Sequence, residues 1–240
     1  MEEITIKDLS YSYTRKKNVL KDINLILKKG ELAVLAGPNG CGKTTMIKLI
    51  FDLIGLQEGK ILIDGINHSD ACCKKNMIYL PGDNNIPEFL TGHEYVELMC
   101  RLYEFEGNTE TLKRLSNYFS MDKYMGDLIE SYSHGMKKKV QLICAFYIKP
   151  DFIVIDETLN GIDIKAKEVS KQLIKELAKQ KTVLLCTHDL EFAEEIGDRA
   201  ILMYEGHIYQ DIHMDQIRGK TTLLNLFKEI INFEELAYEI

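Results

Sequence analysis

The chain has 240 residues, 45% of them hydrophobic, enough for one domain carrying a subdomain, and a formal net charge of −7. This acidic balance, with no basic run longer than Lys137-Lys138-Lys139, argues against nucleic acid as the main partner. No run approaches about 18 uninterrupted apolar residues, the start Met-Glu-Glu-Ile-Thr-Ile-Lys lacks a basic-then-apolar export signal, and the six cysteines form no C-x-x-C pair, so a cytoplasmic protein with reduced thiols is expected.

In chain order, residues 4–9 and 19–27 alternate apolar and polar side chains as half-buried strands do. Between them Tyr11 and Tyr13 would share one strand face, either as ordinary strand aromatics or with one stacked on a flat base, and a basic turn is expected at Arg15, Lys16 and Lys17. Residues 32–36 read as a buried strand, and Met46, Ile47, Leu49, Ile50, Leu53 and Ile54 recur at helical spacing, predicting a helix that ends near Gly55. Residues 60–63 read as a strand closed by the hairpin pair Asp64-Gly65, and residues 76–81 as a strand running into a loop.

From Asp83 the pattern is mainly helical. Thr91 and Glu94 make a capping box ahead of a helix through Tyr103, a second helix runs from Thr109 to Phe119, and Ser133 caps a third that reaches about Ile148 before Pro150. Residues 152–155 are a buried strand ending in Asp156-Glu157, residues 166–179 a helix with a stripe of Val169, Leu173 and Leu177, and residues 182–186 a strand ending in Thr187-His188-Asp189. A last strand is expected at residues 200–204, and Leu223, Leu224, Phe227, Ile230 and Ile231 give the tail a helical stripe that would pack on the rest. Strands alternating with helices imply an α/β fold with a parallel sheet, residues 83–148 being a helical insertion, and place ligands beyond the carboxyl ends of the strands.

One stretch fixes the chemistry. Gly37, Pro38, Asn39, Gly40, Cys41, Gly42, Lys43, Thr44 and Thr45 fit G-x-x-x-x-G-K-[ST] between the predicted strand and helix, the context a phosphate-binding loop requires. Its glycines let the backbone approach a ligand closely, and the N–H groups of the loop and helix start form an anion nest. Lys43 would add a charge for the β- and γ-phosphates and Thr44 a hydroxyl for Mg²⁺. Behind such a loop, Asp156 after its apolar strand would help hold Mg²⁺, and Glu157 would polarise an attacking water. His188, at the end of the next strand, could reach the γ-phosphate or that water.

These motifs, in this order, resemble the ATP-binding subunit of ABC transporters over residues 1–210. The resemblance implies a P-loop NTPase core of mostly parallel sheet with an N-terminal antiparallel β subdomain (residues 1–82 and 149–212), an α-helical subdomain (83–148) and a helical tail (213–240). It places Tyr13 where the family stacks an aromatic on adenine, His188 at the switch histidine, and Asn160 to Asp163 at a loop that crosses the dimer interface. Tyr132-Ser133-His134-Gly135-Met136 stands where the family commonly has Leu-Ser-Gly-Gly-Gln, so Ser133, His134 and Gly135 would contact ATP held by the other chain; similar variants occur in members paired with separate export permeases. Two further departures stand out. Gly82 replaces the usual glutamine, so that either Asp83 or a water would substitute or the coupling of nucleotide state to the partner would differ, and Thr158 replaces proline, a change expected to alter loop stiffness with little effect on chemistry. The implied partners are a second copy or homologous subunit and a membrane-spanning permease, with the chain on the inner face of the membrane, ATP and Mg²⁺ as ligands, and no nucleic acid. A soluble ATPase of the same type and a weakly hydrolysing nucleotide sensor are the alternatives.

Overall fold

The computed structural model describes residues 1–14, 18–83 and 85–238, with side chains to residue 231; the expected basic turn at Arg15, Lys16 and Lys17 lies outside the described residues. Two antiparallel strands, β1 (Glu3–Tyr11) and β2 (Leu20–Lys28), open the chain, followed by β3 (Leu32–Ala36), α1 (Lys43–Ile50) and the hairpin β4 (Glu58–Ile63) and β5 (Ile66–Asn67). A short α2 (Ala71–Lys74) leads to β6 (Met77–Leu80). Then come α3 (Gly92–Leu102), α4 (Thr109–Tyr118) and α5 (His134–Ile148). The chain resumes with β7 (Phe152–Asp156), α6 (Ile164–Ala178), β8 (Thr182–Thr187), α7 (Leu190–Ile196), β9 (Arg199–Tyr204), β10 (His207–His213), α8 (Met214–Ile217) and α9 (Leu223–Tyr238).

The strands form two sheets, one in the order β2-β1-β4-β5 and one in the order β10-β9-β3-β8-β7-β6. The first is antiparallel; in the second only the β9–β10 hairpin is antiparallel, and β9, β3, β8, β7 and β6 run parallel. This is the α/β P-loop NTPase fold. β3 is buried at all five positions because strands flank it on both edges and side chains pack on both faces, which is why its sequence is a continuous apolar run rather than an alternating one.

Each face of the larger sheet has its own core. Val154, Phe152 and Cys186 face Met46, Ile47 and Ile50 of α1 and the inner side of the small sheet. Ile153, Ile155 and Leu185 face the helical side, where α5 buries Val140, Ile143 and Phe146. In α6 the innermost line is Ala166, Ser170, Ile174 and Ala178, with Val169, Leu173 and Leu177 only partly buried beside it. Small residues let the helix lie close, and the Ser170 hydroxyl is satisfied within the helix by donating to Ala166 O at 2.8 Å.

Several boundaries differ from the sequence expectation. α1 stops at Ile50 rather than near Gly55, because Asp52 adopts a left-handed conformation (φ 54) and the Leu53 amide bonds back to Lys48 O at 2.8 Å. Glu104 (φ 51) and Ser120 (φ 56) follow α3 and α4 in the same conformation, and these two helices end within a residue of the expected Tyr103 and Phe119. β10 had no counterpart in the reading of the sequence: Glu205 (φ 45) and Gly206 (φ 85) form the two-residue turn that folds it onto β9. β1 ends at Tyr11, so Tyr11 and Tyr13 do not share a strand face; the first is buried and the second exposed, their rings meeting edge to face at 5.1 Å. In the tail, Leu223 and Ile230 are buried, with Phe227 partly buried against the core.

Candidate functional site

The loop after β3 is shaped by three different steric demands. A Cβ on Gly37 would stand 2.1 Å from Met203 O, so the loop leaves β3 in backbone contact with β9. Gly40 (φ 83) and Gly42 (φ 111) hold left-handed backbone that L side chains rarely adopt. Gly42 is the N-cap of α1 and contributes no side-chain cap, which leaves the first amides of the helix to a ligand rather than to the protein.

Those amides face a cavity of about 500 Å³. Its lining includes Asn39, Gly40, Gly42, Lys43, Thr44 and Thr45 from the loop, Tyr13 from beyond β1, Tyr79, Gly82 and Asp83 from the end of β6, and Asp156 and Glu157 from the end of β7. Gly37, Pro38 and Cys41 form the base of the loop and do not line it. Lys43 is buried, and its ammonium donates to Gly37 O at 2.7 Å and Pro38 O at 3.1 Å, bonds that an arriving phosphate oxygen could replace.

At the cavity's inner corner one carboxylate oxygen collects two donors. Asp156 Oδ2 accepts from the Thr44 hydroxyl at 3.0 Å and from the Tyr79 hydroxyl at 3.1 Å. Burial raises the Asp156 pKa, while these two hydrogen bonds and the Lys43 charge hold it down. The Tyr79 phenol is itself pushed well above its usual range, by burial first and then by Asp156, so it stays protonated and donates. Tyr79 was not singled out from the sequence; a tyrosine in a parallel strand carries no signal of a carboxylate 77 residues away.

Glu157 follows in a left-handed conformation (φ 56), an uncommon one for a non-glycine residue, which turns its side chain away from the line of β7. Its Oε1 lies 3.1 Å from His188 Nδ1, and His188 stands just past the end of β8. Thr158 is fully buried and donates to Leu80 O at 2.8 Å, a bond proline could not make. Its hydroxyl ties the turn after β7 to the turn after β6. Gly82 fits that contact, since a Cβ there would stand 2.9 Å from Asp156 O. Tyr13 reaches Thr45 through a hydroxyl pair 3.3 Å apart, its ring exposed at the cavity mouth.

Ser133, His134 and Gly135 do not line this cavity. Ser133 is the N-cap of α5, its hydroxyl accepting from Met136 N at 3.3 Å. Gly135 lies against the loop after β7, where a Cβ would stand 3.1 Å from Gly161 O. A single chain thus brings together Lys43, Thr44, Asp156, Glu157 and His188, and carries the serine-headed helix elsewhere.

Comparison with known proteins places this geometry in a family. Residues 20–160 match the family described as ABC transporter. The chain is 31% identical over 214 residues to the ABC transporter ATP-binding protein NatA of Bacillus subtilis (strain 168), covering 85% of this chain and 87% of the relative. It resembles a solved ATP-binding subunit of an ABC transporter with a TM-score of 0.87 and 30% identity, over 95% of this chain and 99% of that one. It also resembles the dimeric post-hydrolysis structure of the ATP-binding cassette MJ0796 bound to ADP and Pi, with a TM-score of 0.76 and 26% identity over 88% and 98% of the two chains. With a phosphate loop, two strand-end acids and a family match across more than half its length, the chain belongs to the ATP-binding, ATP-hydrolysing subunits of ABC transporters.

Proposed function

We propose that two such chains, or this chain and a homologous subunit, close head to tail around ATP and drive a separate membrane-spanning permease in the export direction. The observation that carries this reading is the convergence of an uncapped helix N-terminus, Lys43, and the Asp156 and Glu157 carboxyl groups on one cavity. In it, residues 1–82 and 149–212 act as the catalytic core, 83–148 as the helical subdomain and 213–240 as a tail. The Tyr132-Ser133-x-Gly135-Met136 variant supports export.

The loop amides and Lys43 take the phosphates, and Tyr13 stacks on the base. The Thr44 hydroxyl and the Asp156 carboxylate are hard oxygen donors already 3.0 Å apart, which suits Mg²⁺; when bound, the ion screens the charge on the β- and γ-phosphates. Tyr79 holds the shared carboxylate oxygen. Tyr79→Phe is expected to raise the Mg²⁺ concentration needed for half-maximal nucleotide binding by about tenfold, the scale for losing a group that orients a metal ligand. Titration of a fluorescent ATP analogue at graded Mg²⁺ checks this, and an unchanged midpoint would remove Tyr79 from the role. Glu157 takes the proton of the attacking water, and His188 steadies its carboxylate. Ser133, His134 and Gly135 of the opposite chain approach the γ-phosphate with a helix N-terminus, so closure depends on that phosphate and is released by its loss.

The chain would sit on the inner face of the cell membrane through the permease, since among the described residues no helix is long and apolar enough to cross a membrane. A second cavity of about 390 Å³, apolar with Leu53, Ile86, Tyr95 and Met99, lies between the end of β6 and the helices, and shares Lys48, Tyr79, Pro81 and Asp83 with the phosphate cavity. Phe89, in the loop between β6 and α3, is 77% exposed. Alanine at Glu88 or Phe89 is expected to lower transport on the order of tenfold while ATP binding persists, as loss of an interface anchor does; Asp83, which also lines the phosphate cavity, is expected to affect both when replaced. Phe89→Ala is the cleanest case, because Glu88 also pairs with Lys137. Flux into inverted vesicles, measured with the co-purified permease, checks it; unaltered transport would place the docking surface elsewhere.

A further inference from the structure

The run Lys137-Lys138-Lys139, the longest basic run in the sequence, falls near the start of α5. The structure gives each lysine a different partner. Lys137 pairs with Glu88 before α3, and Lys139 with Asp163 at the start of α6. Lys138, buried between them, donates to the main-chain carbonyl of Asn160 at 2.6 Å. Among the described residues no carboxylate lies within ion-pair distance of it.

Asn160 closes the turn that carries Glu157: its amide donates to Glu157 O at 3.0 Å, and Glu157 itself is left-handed. The Thr158 hydroxyl anchors the middle of the turn on Leu80 O, and Gly135, one helical turn before Lys138, touches the carbonyl of Gly161 just beyond. Burying an ammonium against a neutral carbonyl with no carboxylate partner is costly, so the rest of the fold must hold this contact in place. Burial lowers the Lys138 pKa, and the negative charge of Glu157 opposes that shift, which puts the two groups within electrostatic reach.

We propose that Lys138 is a positioning residue for ATP hydrolysis: by holding the Asn160 carbonyl it locks the Glu157–Asn160 turn to the helix headed by Ser133, and so sets the aim of the Glu157 carboxylate. Because α5 presents Ser133 to the opposite site, Lys138 also joins the serine of one ATP site to the base of the other within one chain. The inference rests on the reading of Glu157 as the base.

The test uses the full chain with its permease and compares Lys138→Met, Lys138→Gln and Lys138→Arg. Met and Gln are expected to lower kcat on the order of tenfold to a hundredfold, the scale of a small misalignment, with KM and equilibrium ATP binding unchanged. Arg, which keeps the charged donor, should restore most of the rate. Placed on Glu157→Gln, Lys138→Met should cause no further loss, because the group it aims is already gone. Gln, polar and too short for the same contact, carries the test if Met weakens the fold. Normal kcat in both Met and Gln beside an inactive Glu157→Gln variant overturns the role of Lys138 alone, as does a multiplicative loss in the double variant. Normal turnover by Glu157→Gln overturns the assignment of the base, and this proposal with it.

Discussion

Replacing Glu157 by glutamine is expected to lower ATP turnover by about 10²- to 10⁴-fold, the usual scale for removing a general base, while leaving ATP bound. The substitution keeps the size of the side chain and its reach to His188 Nδ1, 3.1 Å from Oε1, but an amide cannot accept the proton of the attacking water. Affinity should survive because the phosphate grip lies elsewhere, in the amides after Gly42 and in Lys43. If hydrolysis is what opens the closed pair, the variant should accumulate as two copies with Mg·ATP, visible by sedimentation or scattering. Turnover near wild type would take Glu157 out of its role; one copy under saturating Mg·ATP would exclude the head-to-tail assembly.

Gly37→Ala should make the shortest steric clash of any glycine-to-alanine change in the phosphate loop. The new Cβ would stand 2.1 Å from Met203 O and 2.9 Å from Cys41 Sγ, and the carbonyl cannot swing away as a side chain could. β3 and β9 are hydrogen-bonded neighbours in register at Ala36 and Leu202, so relief requires parting the two strands at the mouth of the site. We expect a loss of about 3 kcal/mol, the upper end for overpacking, with ATP binding falling alongside it. Gly40→Ala is the control. Nothing lies within 4 Å of its Cβ, and it meets only the strain of a positive φ of 83. That strain costs about 1–2 kcal/mol. Urea midpoints at constant m separate the two. A Gly37→Ala protein as stable as Gly40→Ala would mean that β9 does not press on the loop.

The phosphate loop, the strand-end pair Asp156-Glu157 and His188 were all legible as sequence, because each depends on residues close in the chain: an apolar run, then a turn, then chemistry. Helix starts were legible for the same reason, since Thr91 and Ser133 cap within three residues. Most helix ends were legible too: α3, α4 and α5 stop within a residue of Tyr103, Phe119 and Ile148. The end of α1 was not, because the chain turns on Asp52 in left-handed backbone, where glycine is the usual sign, so the glycine at residue 55 marked a false end. β10 escaped because Glu205-Gly206 is a weak hairpin signal.

The sequence by itself determined where the phosphate-loop motif and the strand-end acids fall, since each is written in residues adjacent in the chain at the end of a buried strand. Only the tertiary structure decided how those parts are aimed. Tyr79 meets Asp156 across 77 residues, Thr158 meets Leu80 across 78, Thr44 meets Asp156 across 112, and Lys138 on α5 reaches Asn160 in the turn after β7. Local periodicity reports which face of an element is buried; it holds no record of which carbonyl or carboxylate waits on the neighbouring element.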